Sequence, residues 1–123
     1  MARILIIDDE ALVRQVIRDW LEPRGHEVIE AENGNVGLAL FRENPAELVI
    51  TDIVMPDKEG IETIRELRRD FPDAKIIAVS GGGQLMPGAT CLTLAEGLGV
   101  QRTLAKPVNL MELSKTISEL LDS

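Results

Sequence analysis

The sequence is poor in cysteine and in aromatic residues, and it has no long apolar run. Its 123 residues include one cysteine, Cys91, so no disulfide bond can form within the chain. There is no tyrosine, one tryptophan and two phenylalanines, which leaves few rings to stack against a planar cofactor such as a flavin. The early apolar run Ile4–Ile7 is far too short for a signal peptide or a membrane span. We therefore expect a cytoplasmic protein without membrane contact.

Positive charge is also scarce. The chain has 13 basic and 21 acidic residues, a formal net charge of −8. Because this excess of negative charge repels phosphate backbones, direct binding to nucleic acid is disfavoured. The length fits one domain, so we expect a single domain over residues 1–123 with no output domain.

Short apolar stretches alternate with amphipathic patterns along the chain. Strands are predicted at Arg3–Ile7, Glu27–Ala31, Leu48–Asp52, Lys75–Ser80 and Arg102–Ala105. Helices are predicted from Glu10 to Leu21, from Asn33 to Asn44, from Gly60 to Phe71, over about Ala89–Leu98, and from Asn109 onwards. Five alternations with short connections predict an α/β fold. We expect a doubly wound (β/α)5 domain with a five-stranded parallel sheet in the order 2-1-3-4-5 and helices on both faces.

Polar side chains with distinct chemistry stand at the predicted strand ends. Asp8 and Asp9 follow the first strand, Asp52 ends the third, Ser80 ends the fourth and Lys106 follows the fifth. In such folds ligands bind beyond the carboxyl ends of the strands. Two carboxylates about 4 Å apart repel by roughly 4 kcal/mol at an effective dielectric near 20, so three would raise one another's pKa values or recruit a cation. Their hard oxygen ligands suit Mg²⁺.

A cation beside a carboxylate, a hydroxyl and an amine can support phosphoryl transfer, with the carboxylate as nucleophile. Each residue alone also has a simpler interpretation. Asp8 or Asp9 could cap the first helix, and Asp52 could be a turn residue. Ser80 could be an ordinary strand-end hydroxyl, and Lys106 a solvated surface amine. Their joint placement at four strand ends favours the functional interpretation.

Together these residues resemble the response-regulator receiver domains of two-component signalling, the CheY-like family. The matching pieces are Ile4–Glu10, Asp52–Gly60, Ser80 and Gly99–Pro107, in family order. They span nearly the whole chain, and as a set they are highly specific. The resemblance implies a flavodoxin-like fold and a domain that takes a phosphoryl group on an aspartate and signals by conformational change.

The resemblance also implies roles for the acidic residues. Asp52 would be the phospho-acceptor. Asp9 would bind Mg²⁺ directly, with Asp8 helping partly through water. Asp52 and the backbone carbonyl of Val54 would complete the protein ligands. On the same ground, we expect self-phosphorylation and slow self-dephosphorylation but no enzymatic turnover of an external substrate.

Two further residues complete the implied phosphoryl site. Lys106 would contact the phosphoryl oxygens, and the Lys106–Pro107 bond would be cis. Ser80 would swing inward to hydrogen-bond the phosphoryl group. The sequence departs from the family at Thr103, where an aromatic residue commonly reports phosphorylation to the outer face. Our hypothesis is that the glycine-rich stretch after Ser80, beginning at Gly81–Gly83, carries the conformational change itself.

The partners implied by the resemblance are proteins. A sensor histidine kinase or a phosphotransfer protein would supply the phosphoryl group. A downstream target would bind the face formed by the predicted fourth helix, the fifth strand and the last helix. The main alternative is a degenerate receiver that acts as a phosphorylation-independent docking module.

Two other classes of protein use related parts. An aspartyl-phosphate phosphatase of the haloacid dehalogenase type needs Asp-x-Asp after its first strand, whereas Asp8 and Asp9 are adjacent here. A flavodoxin-like cofactor protein needs hydroxyls and amides at that place, whereas this chain has two carboxylates. Turnover of an external phosphomonoester would favour the former, and bound flavin colour the latter.

Overall fold

The computed structural model describes residues 2–53, 60–80, 97 and 99–122. Five strands coincide with the predicted ranges: β1 Arg3–Ile7, β2 Glu27–Ala31, β3 Leu48–Asp52, β4 Lys75–Ser80 and β5 Arg102–Ala105. The helices of the described residues are α1 Ala11–Leu21, α2 Gly34–Glu43, α3 Gly60–Asp70 and α4 Leu110–Leu121, with a 3-10 turn at Glu22–Arg24. The helix predicted over about Ala89–Leu98 lies, apart from Gly97, outside the described residues.

The strands form one parallel sheet in the order β2-β1-β3-β4-β5. The strand order reverses between β1 and β3, whose registers align Ile6 with Ile50. At the far side of the sheet, Ser80 of β4 is aligned with Ala105 of β5. The predicted doubly wound, flavodoxin-like α/β fold is confirmed. Its carboxyl edge is the place where the polar strand ends should meet.

The sheet is covered on both faces, because successive side chains of each strand point to opposite sides. Ile4 and Ile6 of β1 pack into a core with α1 and α4. Leu5 and Ile7 of the same strand pack into a second core with α2 and α3. Each of these four side chains is almost fully buried, so β1 is held firmly up to the residue before Asp8.

Helix α1 buries less of its apolar surface than the sequence suggests. Ile17 and Leu21 are buried against the sheet, whereas Leu12 and Val16 are 72% and 46% exposed. The periodicity predicts an apolar face, but the sheet covers only part of that face. The uncovered part forms one wall of a groove of about 260 Å³. This groove is lined by Glu10, Leu12, Val13, Val16, Ile17, Lys106, Pro107, Val108 and Leu110.

The C-terminal end of α1 is tied to α4. The indole Nε1 of Trp20 donates a 2.6 Å hydrogen bond to Oγ of Ser114. The guanidinium of Arg24 lies 3.4 Å from the centroid of the Trp20 ring, a cation–π contact. The chain then turns at Gly25, whose φ of 94° lies in the left-handed region. The predicted end of the first helix at Leu21 is confirmed.

Among the helices of the described residues, none combines the length and the apolar character that crossing a bilayer requires.

Candidate functional site at the carboxyl edge of the sheet

Lys106 lies at the centre of the polar edge. Its Nζ is 2.8 Å from Oδ2 of Asp52, 3.1 Å from Oδ2 of Asp8 and 3.2 Å from Oε1 of Glu10. The side chain of Lys106 is only 14% exposed, and those of Asp8 and Asp52 are also buried. The loop after β5 therefore delivers a charged amine directly onto the acids that follow β1 and end β3.

Four carboxylates cluster at this edge, and three of them contact the amine. Asp8, Asp9, Glu10 and Asp52 each offer an oxygen, and these oxygens all lie within 4.8 Å of one another. We call these four residues and Lys106 the acidic site. Four carboxylates against one ammonium group leave an excess of three negative charges. This excess and its hard oxygen donors fit a cation such as Mg²⁺.

The pKa values of Asp8 and Lys106 are both shifted by burial and by the neighbouring charges. Burial raises the pKa of Asp8, although the backbone N–H of Glu10 and the ammonium of Lys106 oppose the shift. Burial lowers the pKa of Lys106. Hydrogen bonds and charges from Asp52 and Asp8 outweigh this effect, so the pKa of the amine is raised. Lys106 is therefore a permanent cation at physiological pH.

The loop between β1 and α1 is shaped by hydrogen bonds to Asp8. The backbone N–H of Asp8 donates to the carbonyl of Ala31 at 3.1 Å, which extends the β1–β2 pairing by one residue. Its Oδ1 accepts from the N–H of Glu10 at 2.8 Å, and its backbone carbonyl accepts from Nη1 of Arg14 at 2.6 Å. Because no side chain caps the start of α1, these bonds define how the chain enters the helix.

Asp52 is held by close packing of backbone. The N–H of Ile53 donates to the carbonyl of Val79, and the N–H of Gly60 donates to the carbonyl of Ile53 at 2.7 Å. A Cβ at Gly60 would lie 1.9 Å from the carbonyl oxygen of Asp52. The first residue of α3 must therefore lack a side chain, and this close contact fixes the end of β3 at Asp52.

The structure brings most of the predicted site residues together. Asp8, Asp9, Asp52 and Lys106 meet at one edge, and the Lys106–Pro107 bond is cis as predicted. Of Ser80 only the backbone is described, and it lies at the end of β4, next to the same edge. Val54 and the stretch Gly81–Gly83 lie outside the described residues. Thr103, the departure from the family pattern, is half-buried in β5 beside Ala78 of β4.

Two residues of this region were missed as functional candidates. Glu10 directly follows the acid pair, and that adjacency was an available signal for a third carboxylate at the site. Arg14 lies between apolar positions of the amphipathic pattern of α1, which marks it only as a polar residue. Its contacts with Asp8 and with Glu30 on β2 join residues that are 6 and 16 positions apart, which helical periodicity cannot reveal.

The family profile described as "Response regulator receiver domain" matches residues 4–118. The protein PilH of Pseudomonas aeruginosa is 37% identical to this chain over an alignment that covers 98% of each protein.

Solved structures with the same fold include a receiver domain protein of Clostridium thermocellum, with a TM-score of 0.89 and 35% identity, covering 99% of this chain and 95% of that one. The response regulator TrrA of Thermotoga maritima, solved in complex with Mg²⁺-BeF, has a TM-score of 0.84 and 32% identity. That match covers 98% of this chain and 99% of TrrA.

Proposed function

The chain belongs to the response regulator receiver family of two-component signalling, and on this premise we propose that it takes a phosphoryl group on Asp52. A sensor histidine kinase or a phosphotransfer protein supplies the group, Mg²⁺ assists, and the outcome is a conformational change. The observation that carries this proposal is the 2.8 Å contact between Nζ of Lys106 and Oδ2 of Asp52 inside a cluster of carboxylates.

The donor set of the acidic site supports Mg²⁺ as the cation. Asp8, Asp9 and Asp52 would hold it through carboxylate oxygens, with the backbone carbonyl of Val54 as a further proposed ligand. When bound, Mg²⁺ neutralises charge on the phosphoryl oxygens and on the carboxylates around them. The similar protein TrrA was solved in complex with Mg²⁺-BeF, and for this reason Mg²⁺ is the ion to test with this chain.

The chemistry at Asp52 is a displacement at phosphorus. A carboxylate oxygen of Asp52 forms a bond to phosphorus while the P–N bond of a donor phosphohistidine breaks, and its electron pair goes to the imidazole nitrogen. Lys106 stays protonated throughout and neutralises charge on the phosphoryl oxygens, because its raised pKa leaves no neutral form at physiological pH. The hydroxyl of Ser80 is proposed as the hydrogen-bond donor that follows the phosphoryl group and moves its loop.

Self-phosphorylation and slow self-dephosphorylation are the only reactions proposed for the chain. Because Thr103 replaces the usual aromatic residue, the change at Ser80 is proposed to pass through the glycine-rich segment that follows it. A downstream protein would read that change on the face that includes β5 and α4.

The groove beside α1 is proposed as the place where the phosphoryl donor protein docks. It carries the exposed apolar side chain of Leu12, and Lys106 and Glu10 of the acidic site form its end. A protein seated in the groove would therefore present its own side chains to Asp52. Leu12→Asp should lower the rate of transfer from a histidine kinase that phosphorylates the wild type, without changing the rate from acetyl phosphate.

Val36→Asp is the control for this docking surface, because Val36 is an exposed apolar residue on a different helix, α2. Equal loss of kinase transfer in both variants, or an unchanged rate in Leu12→Asp, would exclude the groove as the docking site.

The decisive experiment incubates the protein with acetyl phosphate and Mg²⁺ and measures the phosphoryl adduct by intact mass. We expect an adduct that requires Mg²⁺ and is absent from Asp52→Asn. Asp73→Asn, a change at an exposed acid elsewhere, should leave the adduct unchanged. An adduct that survives in Asp52→Asn would refute the assignment of the acceptor. No adduct under any condition would favour the alternative, a phosphorylation-independent docking module.

A further inference from the structure

We propose that Arg14 is a positioning residue that fixes the loop carrying Asp8 and Asp9 in the geometry that binds the cation. The inference deepens the proposed function and rests on it. Arg14 lies in the second turn of α1, outside the acidic site, and acts on the site through the backbone of Asp8.

The guanidinium of Arg14 joins two elements with separate donors. Nη1 donates to the backbone carbonyl of Asp8 at 2.6 Å, and Nε donates to Oε1 of Glu30 on β2 at 3.0 Å. The side chain of Arg14 is 16% exposed, so these contacts are largely shielded from solvent. The planar guanidinium can direct two donors at once, whereas a lysine ammonium is a single point charge.

Arg18 provides an internal comparison on the same helix. Its Nη1 donates to Oε2 of Glu30 at 2.6 Å, and its Nε donates to Oε2 of Glu22 at 3.0 Å. Arg18 thus shares one carboxylate with Arg14, and no contact between Arg18 and Asp8 is observed among the described residues. A change at Arg18 weakens the link between α1 and β2 and leaves the Asp8 carbonyl with its donor.

Removing Arg14 has two opposite consequences for a cation. The buried carbonyl of Asp8 loses its charged donor, and the loop gains freedom that must be lost again when the two acids close on the ion. At the same time a positive charge disappears from the neighbourhood of the acidic site, which by itself strengthens cation binding. Positioning therefore predicts weaker binding, and simple electrostatics predicts tighter binding.

Isothermal titration calorimetry of the metal-free protein with Mg²⁺ separates these two cases. Arg14→Met should weaken Mg²⁺ binding about tenfold, the lower end of what losing an outer partner of a metal ligand costs. Arg14→Lys keeps the charge and should recover only part of the affinity. Arg18→Met is the matched control and should bind Mg²⁺ as the wild type does or slightly more tightly. Unchanged or tighter binding in Arg14→Met would overturn the proposal, as would an equal loss in Arg18→Met.

A second measurement needs no metal. Exchange of the Glu10 amide hydrogen, which is bonded to Oδ1 of Asp8, should be faster in Arg14→Met than in Arg18→Met when thermal melting shows both variants folded. Equal exchange rates would overturn the positioning role. If the wild type itself binds no Mg²⁺, the proposed function fails. If the wild type and Arg14→Met bind Mg²⁺ with equal affinity, only this inference is refuted.

Discussion

Two groups of charged side chains lie along α1, one before its start and one on the helix and β2, and their charges are balanced differently. The acidic site has four carboxylates and one ammonium group. The second group, which we call the ion network, pairs two guanidinium groups with two carboxylates: Arg14, Arg18, Glu22 and Glu30. The ion network is neutral within the chain, whereas the acidic site keeps an excess of negative charge. The excess negative charge of the acidic site fits the proposed cation, whereas the ion network needs no ligand to balance its charge.

Removing the one cation of the acidic site should have the largest effect on this balance. Lys106→Met removes the ammonium group that contacts the buried carboxylates of Asp8 and Asp52, and we expect the free energy of unfolding to fall by about 3 kcal/mol. Urea denaturation in EDTA measures this loss, and Mg²⁺ should restore part of it by replacing the missing charge. Lys115→Met, at an exposed position of α4, is the control. Equal stability of the two variants would show that the carboxylates of the acidic site do not need the charge of Lys106 to remain buried.

The close backbone packing at Asp52 can be tested by a single added methyl group. Gly60→Ala places a Cβ against the carbonyl oxygen of Asp52, and either β3 or α3 must shift to accept it. We expect a loss of about 2 kcal/mol in unfolding free energy, together with less phosphoryl adduct on Asp52.

Gly37→Ala is the matched control for this change. Its Cβ would approach side-chain atoms of Ile7, Cδ1 at 2.4 Å and Cγ1 at 2.7 Å, and no backbone atom, so the cost should be smaller because a side chain shifts more easily than a strand or a helix. The same loss of stability and adduct in both variants would mean that the tight contact at Asp52 has no special role.

The ion network should show the smallest effect, and a dependence on pH. Burial raises the pKa of Glu30, but hydrogen bonds and charges from Arg18 and Arg14 outweigh it and lower the pKa below the ordinary value of 4.5. The stabilisation by Glu30 is therefore complete above pH 4.5 and is lost as the pH falls through the folded pKa. Glu30→Gln should cost about 1 kcal/mol at pH 7.

Thermal or urea unfolding across this pH range checks the prediction. The difference in stability between wild type and Glu30→Gln should shrink as the pH falls below 4.5. A difference that stays constant with pH would show that Glu30 acts by packing alone.

Strands β1, β3 and β4 could be predicted from the sequence because each is a short, mainly apolar run that ends at a polar residue or directly before one. The meeting of Asp8, Asp52 and Lys106 followed from the rule that parallel strands bring their carboxyl ends to one edge. The cis bond before Pro107 was predicted from the family resemblance alone, since local chemistry favours the trans form of X–Pro bonds.

Other features depend on contacts between residues far apart in the chain. Periodicity marks Leu12 and Val16 as apolar positions of a helix, but it does not tell whether a neighbour covers them. The attachment of Arg14 to Asp8 and Glu30 requires β2 to lie beside β1, a tertiary arrangement that a pattern within α1 does not contain. The role of Ser80 stays a prediction, as does that of Val54.

The hydrogen bond between Trp20 and Ser114 has a spectroscopic consequence. Because Trp20 is the only tryptophan of the chain, all indole emission comes from the contact of α1 with α4, with Arg24 stacked on the ring. The groove that ends at Lys106 is walled by residues of these same two helices, among them Val16 and Leu110. A partner that moves either helix should therefore change the colour or intensity of the protein's own fluorescence, so binding can be followed in solution without an attached label.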